Sequence, residues 1–332
     1  MLIRMTIRAA ALAAALTLGG FGTAHAQTKV HMVSFSGATN LPGWIAQEKG
    51  FFAKEGLDVT LSVTNGSVEQ VKDMMSGKAQ FISSAFDNIV AYAEEQGEFK
   101  LGEPSDMVAI AGVHSGVNSV VVRPEIATYA DIKGKPVAVD AVRSGYATLL
   151  YEILEMNGLA LDKDYSTASV GGTAGRLKAL KEGKAVAGIL SSPADMEATK
   201  EGLKILAEAT QAVGGYQGSV YVVRRSWAKE HDKEVQAFLR AIVAATDYVF
   251  ENKAGAIEVL KTRIKGMSDE DLGKLYDRIT GAGGLNPRAS LNMQGVATVL
   301  KLRGKHGEPR KEMGQPTKYI DLSFYERAVG KK

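Results

Sequence analysis

Residues 41–63 read LPGWIAQEKGFFAKEGLDVTLSV, and this stretch decides the fold. Its first part predicts a helix from about Trp44 through Gly50. Its last part, residues 58–63, alternates apolar Val59, Leu61 and Val63 with polar Thr60 and Ser62, the period of a strand with one buried face. Upstream, residues 29–35 read as a strand that runs into a Ser/Gly/Thr/Asn loop. Downstream, Asn65-Gly66-Ser67 caps a short helix that turns Val68, Val71, Met74 and Met75 inward and stops at Gly77. A strand at 80–83, a helix at 88–95 and an apolar strand at 107–113 follow. Alternation of strand and helix predicts an α/β lobe with a parallel sheet.

The same grammar restarts near Val117. Residues 131–140, DIKGKPVAVD, form a turn and a strand, and Ser144 caps a helix that sets Tyr146, Leu149, Leu150, Ile153 and Leu154 on one face. Asn157-Gly158 ends it. Then come Gly171-Gly172-Thr173, a helix carrying Leu177 and Leu180, a strand at 186–190, the loop Ser191-Ser192-Pro193 and another helix. Gly214-Gly215-Tyr216-Gln217-Gly218 marks a return to the first unit through a strand at 219–223. From His231 the chain reads as helices at 232–251, 254–265, 268–280 and 290–303, with Ser268 and Asp271 as a capping box. The expected division is therefore lobe 1 from 27–116 and 219–332, and lobe 2 from 117–218.

Residues 1–26 predict an export leader, with Arg4 and Arg8, an apolar run at 9–18, Gly19-Gly20 and then Ala24-His25-Ala26 before the cut. The mature chain then begins near Gln27 and keeps 306 of 332 residues, more than a single core usually supports. The expected location is the Gram-negative periplasm. Losing Arg4 and Arg8 takes the formal charge from +3 to +1, which leaves no electrostatic footprint for nucleic acid or an anionic membrane. The most apolar later stretch, 235–250, is interrupted by Gln236, Arg240 and Asp247, so it reads as a helix and not a membrane insertion. Zero cysteines exclude a thiol nucleophile, a disulfide framework and a Cys-ligated metal. His31, His114, His231 and His306 show no metal-ligand spacing. His31 reads as a strand residue, and His231 and His306 as surface positions. No metal, no cofactor and a monomeric state are the expectations.

AQEKGFFAKEGLDV, followed by a strand, a short helix and GKAQF, resembles the nitrate, sulfonate and taurine binding proteins of ABC importers and their thiamine-precursor binding relatives. DIKGKPVAV at 131–139 resembles the opening of their second lobe, and YIDLSFYERA at 319–328 their C-terminal ending. The resemblance implies a two-lobed α/β periplasmic binding protein fold of type II with a helical C-terminal extension. It also implies one ligand in the cleft between the lobes, closure by hinge motion, and an ABC permease at the inner membrane as partner. Relatives with pyrimidine synthase activity carry a cysteine-rich motif that is absent here, and a same-fold menaquinone-pathway enzyme would be cytoplasmic. A sensor that presents its ligand to a receptor is the other alternative to transport.

In open α/β sheets ligands sit beyond the carboxyl ends of the strands, beside helix N-termini that offer unpaired N–H groups. The loops there carry Ser36, Thr39, Asn40, Ser67 and Ser84 in lobe 1, and Ser144, Gly145, Thr173 and Ser191 in lobe 2. The same residue types also serve as plain helix caps. Trp44 and Tyr146 are stacking surfaces for a planar ligand or packing residues. Arg143 is placed to clamp an acid group. Asp87 either caps a helix or meets a ligand amine, and His114 and Tyr216 stand at the two crossings. A sulfonate or carboxylate is the first expectation for the ligand, a pyrimidine-type thiamine precursor the second, and nitrate the third.

Overall fold

The computed structural model describes residues 26–330, so all of the predicted leader except Ala26 lies outside the described residues. Ten strands run in chain order as β1 (Thr28–Ser34), β2 (Leu57–Val63), β3 (Phe81–Ala85), β4 (Met107–Gly112), β5 (Asn118–Val122), β6 (Pro136–Val139), β7 (Ser166–Ser169), β8 (Ala187–Ser191), β9 (Lys204–Glu208) and β10 (Ser219–Arg224). They sort into two five-stranded sheets, β2-β1-β3-β10-β4 and β7-β6-β8-β5-β9, one for each lobe.

Both sheets are mixed, which corrects the expectation of parallel sheets. β10 runs antiparallel to β3 and β4, and β5 antiparallel to β8 and β9. These two strands enter their sheets directly from a crossing between lobes. A parallel neighbour needs a returning crossover connection, and a strand arriving from the other lobe has none.

The opening stretch folds as helices Leu41–Glu48 and Phe51–Lys54 followed by β2. Leu41, Ile45 and Phe52 are buried in the first lobe's core. There Phe238, on the helix Asp232–Glu251, stacks on Phe81 at 3.9 Å and on Phe52 at 5.6 Å between ring centroids. The paired Phe of the motif thus supplies one wall of an aromatic core, and the long C-terminal helix supplies the other. The end of the chain returns to the sheet edge, where Tyr319 O accepts from Ala109 N and Ala109 O accepts from Asp321 N. Glu94 accepts from the buried Tyr319 hydroxyl at 2.7 Å. Burial pushes the Glu94 carboxyl up, yet Lys311, Lys318 and Tyr319 together hold it at about 2.

Three pieces of chain meet between the lobes. Gly218 N donates to His114 O at 3.0 Å, joining the outgoing and returning crossings. Gly116 takes φ +120° there, and a Cβ would lie 2.0 Å from Thr210 Cγ2, so both the backbone conformation and the close approach need glycine. Gln217 ties in the C-terminal region, with its Oε1 accepting from Asn292 N at 2.8 Å and from Asn286 Nδ2 at 3.2 Å. The helix Met293–His306 then packs on helix Phe86–Ala93 of one lobe and on helix Gly145–Met156 of the other. Two imidazoles are less exposed than the sequence suggests. His306 Nε2 lies 2.6 Å from Glu152 with only 8% of its side chain exposed, and the His231 ring stacks on Trp227. Glu152, Glu155 and His306 cluster closely, and Lys305 Nζ supplies their countercharge at 2.6 Å from Glu152.

Candidate ligand-binding cleft

The carboxyl ends of β1 and β3 face those of β6 and β8 across a closed cleft. Cross-lobe hydrogen bonds ring it. Ala38 N donates to Ser192 O at 3.0 Å and Gly172 N to Asn65 O at 2.7 Å. Ser67 N, at the start of helix Ser67–Met75, donates to Asp140 Oδ2 at 3.1 Å. Gly145 N, at the start of helix 145–156, donates to Asn88 Oδ1 at 2.8 Å, and Asn88 is steadied by Ser84 Oγ at 3.2 Å. That contact needs glycine, because a Cβ on Gly145 would meet Asp87 Cβ at 2.9 Å.

Inside the ring is a cavity of ≈ 40 Å³, measured to the centre of a water-sized sphere. A single water needs ~10–15 Å³ on that measure, so the closed cavity suits a small polar group. Of the sequence candidates, Ser36, Thr39, Asn40, His114, Ser144, Gly145, Tyr146, Thr173 and Ser191 line it. Phe35, Ser83, Ala85, Asn88, Asp140, Arg176 and Ser219 line it as well and were not singled out from sequence.

The electrostatics centre on Arg176. Its side chain is 3% exposed, and Nε donates to Ile189 O at 2.7 Å, Nη1 to Gly171 O at 3.1 Å and Nη2 to Thr173 Oγ1 at 3.1 Å. Two of the five guanidinium N–H groups remain free. Among the described residues no carboxylate forms an ion pair with it. Burial lowers its pKa and the charge of Asp140 opposes that shift, so the guanidinium stays charged. Asp140 itself is engaged at the positive end of helix 67–75 through Ser67 N.

Among the described residues, three buried polar atoms on the cavity lining have no partner within hydrogen-bond distance, Ser144 Oγ, Tyr146 Oη and His114 Nδ1, although the Asn118 and Ser219 side chains interact with the Tyr146 phenol. Burial raises the Tyr146 phenol and keeps it neutral, and burial lowers His114 to about 4, so it too is neutral. Leaving such atoms unpaired costs about 1–3 kcal/mol each. A bound ligand or water with the complementary groups recovers that cost. Together these residues can hold a compact group that carries negative charge and both accepts and donates hydrogen bonds.

The other sequence candidates lie elsewhere. Arg143 is 45% exposed at the surface, facing Glu308 at 3.7 Å, and its backbone N donates to Glu98. Asp87 is fully buried in an ion pair with Arg303, which also donates to Arg143 O at 3.0 Å. Tyr216 is buried beneath helix 145–156, its hydroxyl 3.5 Å from Gly145 O. Ser84 and Ser67 act one step back from the cavity, through Asn88 and Asp140. Trp44 is half-buried, packs on the first lobe's core and lines an adjoining groove. Asp140 and Arg176 both carried a signal. Asp140 directly follows a strand that points into the cleft, and Arg176 lies three residues after Thr173 on a helix whose side chains lean toward its N-terminus.

Known proteins share this fold. The periplasmic nitrate-binding protein NrtA of Synechocystis PCC 6803 superposes with a TM-score of 0.74 at 16% identity, covering 91% of this chain and 88% of its own. The alkanesulfonate-binding protein SsuA of Xanthomonas axonopodis pv. citri, solved bound to MOPS, gives a TM-score of 0.67 at 16% identity, covering 88% of this chain and 96% of its own. At these identities the likeness is one of fold, the periplasmic binding protein fold. A curated relative, 4-amino-5-hydroxymethyl-2-methylpyrimidine phosphate synthase of Uromyces fabae, is 27% identical over 241 residues. The matched region spans 65% of this chain and 65% of that relative's length. Among the described residues no helix is long and apolar enough to cross a membrane. The family model described as NMT1/THI5 like matches residues 39–256, which hold most of the cleft, and the chain belongs to the NMT1/THI5-like family.

Proposed function

We propose that this protein is the periplasmic solute-binding component of an ABC importer, and that it closes on a small organic anion whose sulfonate or carboxylate meets Arg176. The observation that carries this reading is a buried guanidinium with free N–H groups and no carboxylate partner, facing a cavity whose Ser144, Tyr146 and His114 atoms are unpaired. A cation placed so is worth its desolvation when an anion arrives to pair with it. Lobe 1 is formed by 27–116 and 219–332 and lobe 2 by 117–218, and the chain flexes at the crossings near Gly116 and Gly218. The protein binds and delivers its ligand without transforming it, since the cysteine-rich motif of the pyrimidine synthases has no counterpart in a chain with no cysteine. An ABC permease receives the ligand from the closed form.

Asp140 favours a second reading. Its carboxylate faces the cavity and can accept from the amino group of a pyrimidine-type thiamine precursor, in line with the named activity of the Uromyces relative. Thermal shifts of residues 27–332 against sulfonates, carboxylates, nitrate and pyrimidine precursors separate the two. Ligand at 100 times its Kd adds ~2.7 kcal/mol of stability. The first reading expects the shift from organic acids. A shift from the pyrimidines alone overturns it.

A further inference from the structure

The inner cavity does not end at its own walls. Ser36, Thr173 and Ser191 line it and also line a second, wider space that runs outward between the lobes. That outer groove measures ≈ 720 Å³ against ≈ 40 Å³ inside. The two compartments differ in chemistry. The inner one holds Arg176, Asp140 and the unpaired hydroxyls, whereas the outer one is walled by Trp44 and Val63 from lobe 1 and by Ala174, Leu177 and Pro193 from lobe 2. Val63 is 63% exposed, the highest value of any large apolar side chain among the described residues. Apolar surface left open at the mouth of a polar cavity gains free energy only when something apolar covers it.

Charge at the rim is already largely spent inside the protein. Arg263 pairs with Glu48 at 2.6 Å, Lys181 with Glu201 at 2.8 Å and Lys178 with Glu182 at 3.8 Å. The groove therefore offers its apolar walls more than its cations. An acid group seated at Arg176 can extend the rest of its molecule past Ser36 and Ser191 into this groove.

We propose that the ligand is an amphiphilic organic anion, whose acid head sits at Arg176 and whose apolar chain or aromatic ring lies in the groove between Trp44 and Val63 on one side and Leu177 on the other. This rests on the reading of the inner cavity as an anion site. Each methylene moved from water into the groove raises affinity about fourfold, the equivalent of ~0.8 kcal/mol.

The test titrates residues 27–332 with unbranched alkanesulfonates and alkanecarboxylates of increasing chain length. Affinity should climb severalfold with each added methylene until the groove is filled. Ala174→Phe and Val63→Glu change exposed positions, so their melting temperatures should match wild type, and they should cut the gain per methylene to less than twofold. Trp44→Ala should flatten the series in the same way. Binding that depends on Arg176 but is flat with chain length overturns the groove assignment and leaves the anion site standing. Binding that is indifferent to Arg176→Met at every length overturns the anion site and the groove assignment with it.

Discussion

Arg303 and Arg176 are both buried beside the cleft, with 1% and 3% of their surface exposed, yet their surroundings are opposite. Arg303 is closed on itself. It donates through Nε to Asp87 Oδ1 at 2.9 Å and through Nη2 to Asp87 Oδ2 and to Arg143 O, which joins a helix start of one lobe to a loop of the other. Arg176 donates to two carbonyls and one hydroxyl and, among the described residues, forms no ion pair with a carboxylate, feeling Asp140 only through its charge. The difference teaches how to tell a joint from a site. A buried cation that has spent its charge on the protein holds the lobes together. One that has not is kept for a ligand.

The strongest way to break the comparison is at the joint. Arg303→Met leaves Asp87 buried without a partner, and urea denaturation should show a loss of about 3–5 kcal/mol. A loss below about 1 kcal/mol would mean that Arg303 is as uncommitted as Arg176.

His114 lines the same cavity as Arg176 and is neutral in the folded protein, with a pKa lowered to about 4 by burial. In the unfolded chain it titrates near ~6.5. Below that pH the unfolded state takes up a proton that the folded state refuses until about 4. The stability present above pH ~6.5 is therefore lost as the pH falls toward 4, by roughly 3 kcal/mol at ~1.4 kcal/mol per unit. Denaturation midpoints across that range should fall in wild type and fall less in His114→Gln.

Arg176→Met sharpens the comparison from the other side. Binding of an organic acid should weaken about 10- to 100-fold, the range for losing a hydrogen bond to a charged group. The unliganded protein should lose less stability than Arg303→Met does. Ser144→Ala gives the smallest effect. Its Oγ has no partner among the described residues, so stability should stay level or rise slightly, while affinity drops by about 0.5–1.5 kcal/mol in calorimetry.

Much of the fold was legible because residues 58–63 keep the strand period and 145–156 the helix period, and because Gly and Ser mark element ends. The strands that sequence reading passed over are β5, which follows directly from a crossing, and β7 and β9, which form the two edges of the second sheet. STAS and KILAE at those edges are half-exposed and carry no clean alternation. The loops around the cavity were legible from composition, since helix starts and ligand contacts draw on the same Ser, Thr and Gly. The charges were not. Arg143 stood in a loop and drew attention as a clamp, but its neighbours Glu98 and Glu308 keep it at the surface. Arg176 stood inside a helix and drew no attention in the sequence, although the N-terminal lean of helical side chains carries its guanidinium back over Thr173 into the cleft. Asp87 looked like a cap because its partner lies 216 residues away in sequence.

The central claim is that Arg176, and not Arg143, receives an anion in this cleft. Isothermal titration of Arg176→Met and Arg143→Ala side by side, with the organic acid that most stabilises the wild type, tests it most directly. The account predicts at least a tenfold weaker Kd for Arg176→Met and an unchanged Kd for Arg143→Ala. Wild-type affinity in Arg176→Met, or a loss confined to Arg143→Ala, would contradict it.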